Sequence, residues 1–264
     1  MHIDLTGRTA LVTGSTQGIG LAIAEGLARA GATTVINGRS QERVDEALAG
    51  LRAALPDATL QGVAADVATA EGAAQVLAAV PHVDVLVNNL GIFEARPVLE
   101  VDDDEWRRFF EVNVLSGVRL TRSYLPGMVE RGWGRVQFVA SDSAVVIPTE
   151  MVHYGVTKTA LLGVSRGYAK AVAGTGVTVN TVVAGPTLTG GVEDFARSLV
   201  GQDLPWEEVE PRFMAEHRPA SLVRRLIRPA EIAHMVVYLA SEQASATTGG
   251  ALRVDGGYVD AILP

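Results

Sequence analysis

Short apolar bursts alternate with amphipathic stretches along the whole chain. Thr9–Val12, Thr33–Asn37, Thr59–Ala64, Asp84–Asn88, Arg135–Val139, Thr178–Val183 and Ala251–Val254 read as strands. Val85, Leu86 and Val87 are apolar without a break, the pattern of a strand buried on both faces of a parallel sheet. Between these bursts the apolar residues recur with helical spacing, as Ile19, Ile23, Leu27 and Ala30 do within Gly18–Ala30. The same reading gives helices over Gln41–Ala54, Thr69–Ala79, Asp102–Arg131, His153–Ala173 and Glu231–Ser241. The Asp102–Arg131 helix is long enough to bend, and Asp102 suits its N-cap. Strand and helix follow one another at βαβ intervals, so the expectation is an α/β fold: a doubly wound, seven-stranded parallel sheet with helices on both faces.

No shift in composition marks a linker and no repeat is present, so residues 1–264 are expected to form a single domain. One stretch, about 190–228, breaks the rhythm with mixed charge and three prolines, Pro205, Pro211 and Pro219, and suggests a lid over a substrate. Val192, Phe195 and Leu199 are helically spaced there, and so are Val209 and Phe213. Such faces either pack on the protein itself or close over a ligand, with Gly190-Gly191 as a hinge. The second case predicts a pocket that favours substrates with an aliphatic or aromatic body.

Composition narrows the function. The 264 residues carry a net charge of −8 and no cysteine, which removes disulfides, thiolate catalysis and zinc–thiolate sites. The acidic balance disfavours a nucleic acid or a membrane surface as partner. No apolar run reaches the length of a bilayer span, and no signal peptide opens the chain, so a cytoplasmic location is expected.

The chemistry gathers at strand ends. Gly14-Ser15-Thr16-Gln17-Gly18-Ile19-Gly20 follows the first strand and opens a helix, where backbone N–H groups form an anion site and glycines admit a pyrophosphate. The spacing is Gly-x3-Gly-x-Gly, distinct from both G-x-G-x-x-G and a P-loop. After the second strand stands Asn37-Gly38-Arg39, with no acid to take a ribose 2′-hydroxyl. Arg39 suits a 2′-phosphate, with Ser15 able to add a hydroxyl, which favours NADP(H) while leaving NAD(H) possible. Tyr154 and Lys158 are four apart on one helical face, where a cation beside a phenol lowers its pKa and fits it for proton transfer. Ser141 stands just past the fifth strand, able to hold a carbonyl oxygen, with Ser143 nearby as a substitute.

In this order the motifs resemble the short-chain dehydrogenase/reductase superfamily, the compact single-domain kind that includes 3-oxoacyl-carrier-protein reductases. The likeness runs from about Leu5 to Tyr258 and includes Asn88-Asn89-Leu90-Gly91 and Asn113. It implies a Rossmann-type NAD(P)-dependent oxidoreductase acting on a small carbonyl or alcohol, assembled as a homo-oligomer, tetramer or dimer. Tyr154 would be the general acid/base, Lys158 would bond the nicotinamide ribose, Ser141 would orient the carbonyl, and Asn113 would hold a water of the proton relay. Asp66 would contact the adenine beside Val67, Asn89 and Gly91 would line the cofactor cleft, and Thr187 and Thr189, after Gly185, would hold the carboxamide. Three positions depart from the family: Leu90 stands for alanine, Ala184 for proline, and Asp142 follows the serine where an acid is not expected.

Other readings compete. A catalytically idle nucleotide-binding regulator could use the same fold, but would have no need of Ser141, Tyr154 and Lys158 together. Gly163-Val164-Ser165-Arg166-Gly167 matches a hydrolase nucleophile elbow, but falls inside an expected helix rather than at a strand-to-helix turn. Its glycines, with Ala160, instead make a small-residue face suited to a subunit contact. Glu231-Ile232-Ala233-His234 and the other histidines lack metal-ligand spacing.

Overall fold

The computed structural model describes residues 2–262. Seven parallel strands form one sheet in the order β3-β2-β1-β4-β5-β6-β7. They are β1 (Thr9–Val12), β2 (Thr33–Gly38), β3 (Leu60–Ala64), β4 (Val85–Asn88), β5 (Gly134–Ser141), β6 (Val177–Ala184) and β7 (Ala251–Val254). Side chains alternate across the sheet, and this splits the interior into two cores. Ala10, Val12, Val85 and Val87 face one way, against α1 (Gly18–Arg29), α2 (Gln41–Ala54) and α9 (Pro229–Ala240). Leu11, Leu86, Val136 and Phe138 face the other, against α3 (Ala70–Ala79), α5 (Ser116–Glu130) and α6 (Val152–Ala171). All four β4 residues are buried, the polar Asn88 along with the unbroken apolar run Val85-Leu86-Val87.

The expected long helix is three consecutive pieces: α4 (Asp103–Phe110), a π-helical turn over Glu111–Leu115, and α5. The interruption is one widened turn, and Asn113 sits in it. The stretch after β6 contains two helices, α7 (Gly190–Val200) and α8 (Trp206–His217). Pro205 is the N-cap of α8, but Pro211 lies inside that helix rather than ending it. Ala196, Val209, Phe213, Met214 and Leu226 form a small third core, so much of the apolar face on these helices is used in joining them to each other.

Strand order reverses between β1 and β4, the switch point where open α/β sheets bind ligands beyond the carboxyl ends of their strands. Register sharpens this site. Asn88, the last residue of β4, pairs with Phe138, so β5 runs three residues further, to Ser141, which pairs with Ala184. At about 3.3 Å per residue that overhang is a wall of about 10 Å beside the switch point.

Candidate active site

Gly14 and Gly18 have φ of +60° and +57°, left-handed conformations that glycine adopts without strain. Gly20 serves another purpose: a Cβ there would lie 2.3 Å from the Gly14 carbonyl oxygen and 2.6 Å from Asn89 Nδ2. Asn89 ties this turn to β4 by donating from Nδ2 to the Thr13 and Gly14 carbonyls at 2.9 and 3.1 Å. The N-cap of α1, Gln17, makes no side-chain cap, which leaves first-turn N–H groups for an anion. Thr189 caps α7, and a Cβ on Gly18 would meet its Cγ2 at 3.2 Å. Two helix N-termini therefore meet at the cleft mouth, and both dipoles favour negative charge there.

On one side lies a cleft of about 640 Å³ lined by Arg39, Ser40, Arg43, Asp66, Val67 and Leu90 among others. Asp66 Oδ1 accepts from the Ala68 N–H at 3.1 Å, which fixes the loop beneath. Among the described residues Arg39 and Arg43 form no ion pair, although the chain is acidic overall. Arg43 was not anticipated; its place in the first turn of α2, one turn after Arg39, was the available signal. Ser15, expected to point at a phosphate, is fully buried. Its hydroxyl donates to the Val12 carbonyl at 2.7 Å and accepts from the Asn37 N–H at 2.9 Å, so it staples β1 to β2 and is not part of the cleft.

On the other side a cleft of about 290 Å³ brings together Gly91, Ser141, Tyr154, Lys158, Gly185 and Thr189, with Gln17, Ile19 and Thr187 also on its walls. Tyr154 and Lys158 sit one turn apart at the start of α6, and Lys158 Nζ lies 5.6 Å from the Tyr154 ring centroid. Lys158 is buried and donates to the Val139 carbonyl at 3.0 Å, leaving two of its three N–H groups free. Gly91 is pinned between functional groups: a Cβ there would meet Lys158 Nζ at 3.1 Å and Asn113 Oδ1 at 3.5 Å. Asn113 accepts from the Ile92 N–H at 2.8 Å and donates to the Ile92 carbonyl and Thr157 Oγ1, both at 3.0 Å. Both its N–H donors are spent, so only the second Oδ1 lone pair remains for a water. Thr187 Oγ1 donates to the Gly185 carbonyl at 2.8 Å.

Ser141 Oγ donates to Asp142 Oδ1 at 2.8 Å and accepts from the Ser143 N–H at 3.2 Å. Ser143 also turns to Asp142, at 3.4 Å. Burial pushes the Tyr154 phenol up to about 12, opposed by the nearby Ser141 hydroxyl and reinforced by the charge of Asp142. The expected lowering by Lys158 does not prevail: its ammonium is turned toward Val139, and burial pushes Lys158 itself down to about 8. Burial likewise raises Asp142. Ser165 of the hydrolase-like motif is buried in the middle of α6, far from any strand-to-helix turn.

The glycine turn, the uncapped start of α1 and the two unpaired arginines suit a nicotinamide dinucleotide that carries a 2′-phosphate. Comparison with known proteins agrees on the class. Residues 14–259 match the family model described as enoyl-(acyl carrier protein) reductase. An uncharacterised oxidoreductase of Bacillus subtilis, YvaG, is 52% identical over 264 residues, covering 100% of both chains. A second from the same organism, YvrD, is 40% identical, covering 98% of this chain and 99% of its own. The crystal structure of L-sorbose reductase from Gluconobacter frateurii, complexed with NADPH and L-sorbose, superposes with a TM-score of 0.91 at 35% identity, covering 99% of this chain and 100% of its own.

Proposed function

The chain belongs to the short-chain dehydrogenase/reductase family of oxidoreductases, and from that premise we propose that it interconverts a carbonyl and an alcohol on a small molecule, prefers NADP(H), and uses Tyr154 as its general acid/base. The observation that carries this reading is the convergence of Ser141, Tyr154 and Lys158 in one cleft beside the glycine turn. The bound nicotinamide would supply hydride to the carbonyl carbon. Tyr154, held protonated by burial, gives its proton to the carbonyl oxygen. Ser141 turns its hydroxyl from Asp142 to that oxygen and orients it. Lys158 bonds the ribose hydroxyls with its two free N–H groups, and Asn113 holds a water toward Lys158 that returns the proton. Ketone-dependent loss of NADPH absorbance tests the activity, and a panel of ketones and alcohols run with both cofactors tests its range. No absorbance change with any ketone would overturn the reading.

Cofactor preference rests on Arg39, supported by Arg43 across the same cleft. Arg39→Ala is expected to weaken NADPH binding by about 1.5–3 kcal/mol, the scale of hydrogen bonds to a charged group, and to leave NADH binding nearly unchanged. Fluorescence titration with both cofactors measures this, and equal losses would remove Arg39 from phosphate recognition.

The stretch 190–228 acts as a lid over the nicotinamide end. Thr189 touches the cofactor cleft and caps α7, so cofactor binding and the position of α7 are coupled. Hydrogen exchange across 190–228 is expected to slow when NADPH is added. Identical protection in both states would make this stretch a fixed wall.

The reading includes a homo-oligomer, tetramer or dimer. Gly163 and Gly167 are exposed on α6 with open space at each Cβ position, room for a second copy to approach closely. Sedimentation analysis reads the assembly directly. Among the described residues no helix is long and apolar enough to cross a membrane, and a cytoplasmic location is part of the same proposal.

A further inference from the structure

Among the described residues Asp142 is the only acid lining the catalytic cleft, and the protein leaves its hydrogen bonding incomplete. The residue is 6% exposed. Oδ1 accepts from the Ser141 and Ser143 hydroxyls, while Oδ2 is buried with no hydrogen-bond partner. A buried acceptor without a donor is costly, and more so when it is charged. Arg218, the C-cap of α8, lines the same cleft, and its charge acts on Asp142. Its guanidinium gives one N–H to the His217 carbonyl and lies over the rings of Phe213 and Tyr258, with centroids at 5.5 and 5.9 Å. Among the described residues it forms no ion pair. The cleft thus holds an unfilled acceptor and unfilled donors of opposite charge.

Their position selects the ligand. Asp142 is one hydrogen bond from Ser141, the group read above as holding the carbonyl oxygen. A donor that reaches Asp142 is therefore carried on a carbon next to the carbonyl. Building on the reductase reading, we propose that the substrate is a small, neutral hydroxyketone whose hydroxyl beside the carbonyl donates to Asp142, while Arg218 donates to a hydroxyl oxygen further along. A plain ketone leaves Asp142 unanswered. A keto acid sets a second negative charge beside Asp142, and like charges at that distance repel. The hydroxyl does a second thing: by donating to Oδ2 it draws off charge from the carboxylate and loosens the hold of Oδ1 on the Ser141 proton. This departs from the expectation of an aliphatic or aromatic substrate body, because the apolar residues behind that expectation are partly spent on the third core.

Three four-carbon probes separate the possibilities: erythrulose (a neutral hydroxyketone), butanone and 2-oxobutanoate. In NADPH oxidation the wild type is expected to favour erythrulose over butanone in kcat/KM by at least about a hundredfold, since a site built to bond a hydroxyl rejects the analogue that lacks it. Asp142→Asn is expected to shrink that ratio at least about thirtyfold, with NADPH binding by fluorescence retained as evidence of folding. Calorimetric titration of erythrulose into the protein with NADP+ present gives a readout without turnover. Binding there should weaken at least about tenfold in Asp142→Asn and again in Arg218→Gln, a lid variant that decides the matter should the first variant fail to fold. Erythrulose binding of this pattern without turnover would support the substrate site while overturning the reductase reading. Equal loss of both substrates in Asp142→Asn, with the ratio unchanged, would overturn the proposal and make Asp142 a support for Ser141. Preference for 2-oxobutanoate, lost in Arg218→Gln, would overturn it in favour of an anion site.

Discussion

Tyr154→Phe is expected to lower carbonyl reduction by at least about a hundredfold, the scale of a lost general acid, while NADPH binds with unchanged affinity. The substitution removes one hydroxyl and keeps the ring that packs edge-on to Phe93 at 6.3 Å, so the cleft wall stays in place. Two consequences separate a lost acid from a lost shape. KM should move little, because in the proposed mechanism Ser141 would still hold the carbonyl oxygen. The pH dependence should also change: with the phenol pushed up to about 12, the wild type keeps its acid protonated through neutral pH. Reduction is then flat across that range, and alcohol oxidation, which needs the phenolate, climbs with pH. In Tyr154→Phe that climb disappears. Near-normal turnover in the variant would end the proposed mechanism.

How much of this was legible beforehand depended on whether a feature is local. Strand and helix follow from periodicity, and the unbroken Val85-Leu86-Val87 run announces a central strand because both its faces are buried. The rim of the sheet was legible for the same reason: once the strands are parallel, their carboxyl ends fall together. The π-helical turn was not, since one extra residue in a turn barely disturbs the apolar spacing, and only the hydrogen bonds of Asn113 to Ile92 and Thr157 show what it positions. Ser15 was misread because a hydroxyl in a phosphate-binding turn looks available until the second strand is laid beside it and takes the bond. Asp142 stood out as a departure, but its meaning waited for Arg218, which lies 76 positions later and is brought over the cleft by a helix whose place no local pattern encodes. The lowered phenol pKa expected from the Tyr-x3-Lys spacing failed for a related reason. Spacing sets which face two side chains share, whereas burial and the Val139 carbonyl decide where the ammonium points.

Lys158→Met is expected to abolish activity and, in the protein without cofactor, to erase a rise in stability between pH 8 and pH 10. Burial holds the folded-state amine down to about 8, against 10.5 for the free side chain. Below pH 8 both folded and unfolded chains carry the proton, and the folded chain bears the whole cost of a buried charge. Between the two values the unfolded chain binds more protons than the folded one, so stability rises with pH. The interval of 2.5 units corresponds to about 3 kcal/mol at 1.36 kcal/mol per unit. Most of it falls before pH 10, where the unfolded tyrosines begin to ionise. Above that, Tyr124 and Tyr154, both pushed up to about 12, act with the opposite sign and turn the curve down. The window is clean because the chain has only two lysines, Lys158 and the exposed Lys170, the remaining 20 of its 22 basic side chains being arginine. Arginine in place of Lys158 would keep a charge that cannot be shed. Urea unfolding at pH 7, 8, 9 and 10, wild type against Lys158→Met, reads the difference in slope. Added NADP+ should flatten the wild-type curve, because in the proposed complex the ribose hydroxyls would accept from the free N–H groups of Lys158 and favour its charged form. Parallel curves for wild type and variant would show that Lys158 keeps its proton in the fold, and its role would then be that of a permanent cation beside Tyr154.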